Sequence, residues 1–376
     1  MRTWLRCCVA LAIAALMGIA SFGPASAAGT RSGHARLQAE IQDLVTVDGV
    51  PGVTAVMSQE GQFTEMAAGL ADIPDRRSMR PDDQFRIASI TKTFVATVVL
   101  QLVAEHRLAL DQPIAGLLAE PVPDADQITV RELLNHSSGL VDFSDNPVYD
   151  ESADYTPAQL IALGVENPPY FAPGTGFHYS STNYIILGEI VQGVTGHSIQ
   201  DEVTARLIDR LQLSGTTFPT VTTPAPRQAR GYDFSDPLPS HSGPAVDVTT
   251  EVNATAVGAA AAMVGTAGDV DRFLGALLGG RLLSQDLLTE MESPTAGADA
   301  LFAAWGVPGL SYGLGLFIVS SPCGTAYGSL GDFSGYHSSV MQRGTRQIAL
   351  LMNTAALQPS LYRQTLSIAE QAICPA

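Results

Sequence analysis

Lysine is nearly absent from this chain. Of its 20 basic residues only Lys92 is a lysine and the rest are arginine. An arginine keeps its proton in a protein, so the sequence offers a single amine that could act as a base. Positive charge is scarce overall, with 20 basic residues against 37 acidic ones and a formal charge of −17. Such an acidic surface excludes nucleic acid and anionic membranes as partners. No uncharged apolar run reaches the roughly 18 residues that would span a bilayer. The seven histidines show no ligand spacing such as His-Glu-x-x-His, so no metal is predicted. Repeats and low-complexity linkers are also missing, which excludes solenoids and arrays.

Cysteine is sparse too, and its placement is informative. Residues 1–28 read as a secretory signal: Arg2 and Arg6, an apolar run from Val9 to Ala20, Pro24, and the small-residue end Ala25-Ser26-Ala27-Ala28. Cys7 and Cys8 leave with it, and loss of the two arginines takes the formal charge from −17 to −19. The expected mature protein is therefore secreted. About 348 residues remain, enough for one large catalytic unit over 29–376. Only Cys323 and Cys374 survive export, an even pair in an oxidising compartment. They are predicted to form a disulfide contributing roughly 3–4 kcal/mol by loop closure.

Periodicity divides the mature chain into two textures. Arg36 to Val47 puts Leu37, Ile41, Leu44 and Val45 on one helical face, and Val53–Ser58 with Phe63–Leu70 reads as a hairpin around Gln59-Glu60-Gly61. A helix opens near Ser89. From about 110 to 265, short helical patterns alternate with proline-rich connections, a mostly helical insertion. After a helix over Gly268–Leu278, strand patterns return at Tyr312–Val319, Gly324–Leu330, Gly335–Gln342 and Gln347–Asn353, and Ser360–Ile373 closes the chain as a helix. The predicted fold class is α+β, an antiparallel sheet flanked by helices with a helical subdomain inserted.

The lone lysine stands in Ala88-Ser89-Ile90-Thr91-Lys92, one helical turn after a serine, so the two side chains share a face. A lysine in a desolvated pocket can be driven to the neutral amine, which takes a proton from a neighbouring hydroxyl. Ser89 is thus the candidate nucleophile and Lys92 its base. Tyr179, in His178-Tyr179-Ser180-Ser181, could donate or accept a proton if Lys92 lowered its pKa.

In these elements the chain resembles the penicillin-recognising serine hydrolases, in particular the group holding class C β-lactamases, D-alanyl-D-alanine carboxypeptidases and related esterases. Ser89-Ile90-Thr91-Lys92 matches the family's Ser-x-x-Lys, and Tyr179-Ser180-Ser181 falls where the family has Tyr-x-Asn. Leu133 to Leu140, Pro173-Gly174-Thr175 and Tyr312-Gly313-Leu314-Gly315 also look like family signatures. The resemblance covers essentially the whole mature chain. It implies a β-lactamase/transpeptidase-like fold, an acyl-enzyme on Ser89, proton transfer by Lys92 and Tyr179, and an oxyanion contact from the Ser89 N–H. It also implies a carboxypeptidase-like peptidase as the default activity, with esterase or β-lactamase as alternatives. A small-molecule or cell-wall-derived peptide substrate, no cofactor and a monomeric state complete the expectation.

Two departures bear on the substrate. Ser181 stands where the family's asparagine binds the substrate amide. The third family element, Lys or His then Thr-Gly, is represented by Ser329-Leu330-Gly331-Asp332, which offers no cation for a substrate carboxylate. Ser181, Ser329, Gly331 and Asp332 are the expected substrate and oxyanion positions. Because Asp332 would repel a second carboxylate, the predicted substrate is neutral or cationic there. Two rival readings follow from the residues. Gly309-Leu310-Ser311-Tyr312-Gly313 fits Gly-x-Ser-x-Gly, with Asp332 and His337 following in α/β-hydrolase order. The departures could also mark a binding protein without turnover, which intact Ser89, Lys92 and Tyr179 argue against.

Overall fold

The computed structural model describes residues 25–119, 121–225, 227–234, 243–355 and 359–374. Residues 1–24 of the expected signal lie outside the described residues. Helix α1 (Ala25–Thr46) contains the predicted Arg36–Val47 segment. The hairpin follows as β1 (Gly52–Gln59) and β2 (Gln62–Asp72), with Gln59 opposite Gln62. Its two-residue turn has positive φ at both Glu60 (52°) and Gly61 (79°). That left-handed pair matches the twist of the strands, and the glycine lets it form at low cost.

Strands β3 (Arg77–Ser78) and β4 (Phe85–Arg86) lead to α2 (Ile90–Ala104). Every residue of α2 from Ile90 to Leu102 is buried, so this helix is apolar on all sides and runs through the core. Between Leu110 and Gly265 come α3 (Val130–Leu134), α4 (Pro157–Val165), α5 (Thr182–Thr195), α6 (Ile199–Val203), α7 (Asp209–Leu211) and α8 (Ala254–Ala261). The expected helical texture also includes strands. β5 (Tyr232–Phe234) pairs with β6 (Ala245–Asp247), and β7 (Val264–Gly265) pairs with β4.

Helices α9 (Ala267–Leu278), α10 (Gln285–Met291) and α11 (Ala298–Ala304) precede the second half of the sheet. The latter two were not anticipated. Each is seven residues long, too short for an apolar stripe to recur, and α10 depends on the Ser284 side chain capping the Leu287 N–H. The expected strand Tyr312–Val319 is instead two strands, β8 (Leu310–Tyr312) and β9 (Phe317–Ser321), with Tyr312 facing Phe317 across a turn. Gly315, at φ 79°, makes that reversal, and alternation alone did not reveal it.

The remaining strands, β10 (Gly324–Phe333), β11 (Tyr336–Arg343) and β12 (Arg346–Met352), and helix α12 (Pro359–Ile373) agree with the expected segments. Eight strands form one antiparallel sheet in the order β3-β2-β1-β12-β11-β10-β9-β8. Leu37, Ile41, Leu361 and Ile373 from α1 and α12 pack on one face. Phe94, Val98, Phe273 and Leu277 from α2 and α9 belong to the larger cluster on the other. Cys323 and Cys374 form the predicted disulfide, joining the β9–β10 turn to the end of α12. Among the described residues no helix is long and apolar enough to cross a membrane.

Candidate active site

Where β10 passes the N-terminus of α2, the sheet loses a neighbour. β9 pairs with β10 only from Gly324 to Gly328, so the stretch after it faces the turn that opens α2. That turn is strained. Ala88, fully buried, has φ 46°, a left-handed conformation that costs a residue with a Cβ about 1–2 kcal/mol. It is held by the Ile87 N–H on Met263 O (3.0 Å) and by the Ile90 and Thr91 N–H groups on Ile87 O and Ala88 O. Ser89, the next residue, is thereby presented at the helix N-terminus.

Lys92 Nζ lies 3.1 Å from Ser89 Oγ and donates to Ala260 O at 3.1 Å. The side chain is 1% exposed, because it emerges from a helix buried all round. Burial destabilises the ammonium and pushes Lys92 down to about 8, with Asp142 pulling the other way. Tyr179 completes the group. Lys92 Nζ sits 4.9 Å from its ring centre, and the Ser89 hydroxyl is near enough to favour its ionised form. The condition that Lys92 lower Tyr179 is not met. Desolvation raises it, only partly opposed by the nearby Ser89 hydroxyl and reinforced by Asp142 and Asp332, so it is a phenol at working pH. The two shifts suit opposite roles: an amine able to accept a proton and a phenol able to donate or relay one.

Two residues that sequence reasoning missed hold this arrangement. His136 is fully buried, and its ring packs at a tilt with its centre 4.3 Å from that of Tyr179. Its Nδ1 accepts from the Ser180 N–H (3.2 Å) and Asn183 Nδ2 (3.1 Å). Burial first, then the Lys92 charge, hold it well below the usual imidazole range, so it is an uncharged platform for Tyr179. Asp142 accepts the Ser181 N–H at 2.6 Å and the Ser144 N–H at 2.9 Å, fixing the turn that carries Tyr179 into α5. His136 lay inside a signature segment, but nothing local distinguished Asp142 from a surface carboxylate.

Ser89, Tyr179 and Asp332 share a cavity of about 360 Å³ with Phe302, Trp305, Phe317 and Tyr362. Trp305, 49% exposed, forms part of its mouth, and Tyr362 reaches it from α12. The other expected residues are placed differently. Gly331 lies against the α2 turn, where an added Cβ would be 3.0 Å from Ser89 N. Ser329 is 3% exposed and its hydroxyl accepts from Thr93 Oγ1 at 2.8 Å. Ser181 starts α5 beside Asp142, and neither serine lines the cavity. Ser311 sits in β8 opposite Ile318, and a turn into β9 follows it rather than a helix. A nucleophile elbow needs strand, serine and helix in that order, so the Gly-x-Ser-x-Gly match is a sequence coincidence.

The shifts predict a pH profile. On an uncharged ester, kcat/KM should rise as Lys92 loses its proton, reach half its limit near pH 8, and stay flat above it. A rate independent of pH between 6 and 9, measured by spectrophotometric ester hydrolysis, would contradict the amine as base.

A serine at the cavity wall with a buried lysine behind it and a phenol beside it, at the head of a core helix against an eight-stranded antiparallel sheet, defines the penicillin-recognising serine hydrolases. A family model described as Beta-lactamase matches residues 37–373, and the chain belongs to that family as a β-lactamase-fold serine hydrolase. Its fold is shared with a D-stereospecific amidohydrolase from Streptomyces sp. at 32% identity and a TM-score of 0.75, covering 89% of this chain and 99% of that one. It also matches D-amino acid amidase from Ochrobactrum anthropi SV3 at 28% identity and a TM-score of 0.80, covering 90% and 98%. Esterase EstB of Burkholderia gladioli is 32% identical over 231 residues, 57% of this chain and 58% of that protein. The chain spans about half the length of the curated relatives it matches.

Proposed function

We propose that this protein is an exported acyl hydrolase that cleaves an amide or ester of an apolar, amino-acid-like acyl group. The neutral Lys92 amine takes the Ser89 proton as Oγ bonds to the carbonyl carbon, and the N–H groups of Ser89 and Asp332 receive the oxyanion. The bond to the leaving group breaks, and that group takes the proton back from the Lys92 ammonium through the Tyr179 hydroxyl. Water then attacks the ester carbon, gives its proton to Lys92, and Ser89 recovers a proton as the acid departs.

The observation that carries the substrate class is the cavity wall. Among the described residues none that lines it is basic, and Asp332 belongs to the element that, by the family resemblance, holds a substrate carboxylate. Two carboxylates about 4 Å apart repel by about 1 kcal/mol in water and about 4 kcal/mol in a partly desolvated cleft. This weighs against the carboxypeptidase activity that the family suggests, and equally against a β-lactam, which also carries a carboxylate. The amidases and the esterase among the similar proteins support an amide or ester, and the D-specific names support D-configuration. Export rests on the pattern of residues 1–28 and accords with the disulfide.

The test is kcat/KM for a D-phenylalanine ester or amide, a D-Ala-D-Ala peptide and a chromogenic cephalosporin. The ester and amide should exceed the other two by at least about 100-fold, a little under the 3–4 kcal/mol discrimination that the repulsion permits. A preference for the free-carboxylate peptide would overturn the reading.

A further inference from the structure

Asp332 takes no part in the acyl transfer through its side chain, yet among the described residues it is the one charged residue lining the cavity. It follows Gly331, whose backbone abuts Ser89 N, so its carboxylate belongs within one residue of the reacting centre. The side chain is 20% exposed, and His337 Nδ1 approaches Asp332 Oδ1 at 2.8 Å. His337 is fully buried, directly opposite Asp332 in the β10–β11 register, and packs edge-on against Tyr362 at 5.6 Å. Its Nε2 is buried with no hydrogen-bond partner among the described residues, so the arrangement that serves the carboxylate puts the ring proton on Nδ1. Around this oriented carboxylate the wall is aromatic: Tyr179, Phe302, Trp305, Phe317 and Tyr362.

A carboxylate set among ring faces is the chemistry that holds an organic ammonium, by charge-assisted hydrogen bonds and by attraction of the cation to the π faces. We propose that Asp332, oriented by His337, binds the α-ammonium of an aminoacyl substrate whose side chain fills the aromatic cavity. The proposal rests on the acyl-hydrolase reading above and narrows it. The amine is α because the carboxylate belongs to β10, one residue beyond the Gly331 that abuts Ser89 N, while the rings line the rest of the cavity. His337 is a positioning residue: it touches Asp332 and not the substrate.

The experiment compares the methyl esters of D-phenylalanine, N-acetyl-D-phenylalanine and 3-phenylpropionate on wild type, Asp332→Asn and His337→Gln. Asp332→Asn should lower the ratio of kcat/KM for the D-phenylalanine ester to that for the 3-phenylpropionate ester by about 10-fold or more, mainly through KM for the charged ester. His337→Gln should raise KM for the same ester alone, by a smaller factor. Equal losses on charged and uncharged esters, or no loss on the charged one, would overturn the ammonium site. Should the variants fail to fold, competitive inhibition of wild type decides: 2-phenylethylamine should bind more tightly than 3-phenylpropionate, and the reverse order defeats the proposal. Hydrolysis of the uncharged ester that survives Ser89→Ala would instead bring down the acyl-enzyme reading, which keeps the two failures distinct.

Discussion

Lys92→Arg should reduce acylation of Ser89 by about 10³-fold or more, the scale on which a general base acts when its geometry is fixed. The substitution keeps a positive charge one turn from the nucleophile and removes the state that accepts a proton, since a guanidinium stays protonated. In the native site the amine is 3.1 Å from Ser89 Oγ and pushed down to about 8, so a usable fraction is neutral near pH 7. Lys92→Gln is the companion variant. If the site needed only a cation, arginine would retain activity and glutamine would lose it; if it needs a base, both lose it. Burst-phase labelling by a fluorophosphonate, followed by intact mass, reads acylation separately from deacylation. Retention of more than about a tenth of the rate by the arginine variant would remove lysine from the role.

The parts of this molecule legible in the sequence are those whose cause is local. The Glu60-Gly61 turn, the strands β10 to β12 and helix α12 follow from alternation, turn residues and 3.6-residue spacing, and each was placed within a few residues. The Ser89–Lys92 pair was visible because the two residues lie one turn apart on one helix. Other features depend on where distant segments meet. Tyr362 reaches the cavity from the last helix, and Asp142 acts on Lys92 and Ser181 through contacts made only after α5 packs beside α3. The direction of the Tyr179 shift is not legible in the sequence for the same reason. Sequence shows the neighbouring Lys92, but not how completely the surroundings exclude water, and desolvation outweighs the neighbour.

Gly331→Ala should lower kcat by about 10²- to 10³-fold while leaving the protein folded, the loss expected when an oxyanion donor is displaced. An alanine Cβ at this position would lie 2.3 Å from Ile87 O, 3.0 Å from Ser89 N and 3.2 Å from the Ala88 Cβ. The first contact is with backbone, so one chain must move. The α2 turn resists: Ala88 is already at φ 46°, Ile87 is tied to Met263, and the helix behind Ser89 is buried on every side. β10 is the element left to give, on the side where β9 has already parted from it. Its shift would carry the Asp332 N–H away from the Ser89 N–H, opening the space between the two donors by a fraction of an ångström. Hydrogen bonds to a developing oxyanion lose most of their strength over such a distance. Gly61→Ala is the control: an added Cβ there meets nothing within 4 Å, although φ is 79°, so strain in that hairpin should reduce stability without touching kcat. A Gly331→Ala enzyme with kcat within about 3-fold of wild type would show that β10 does not supply the second donor.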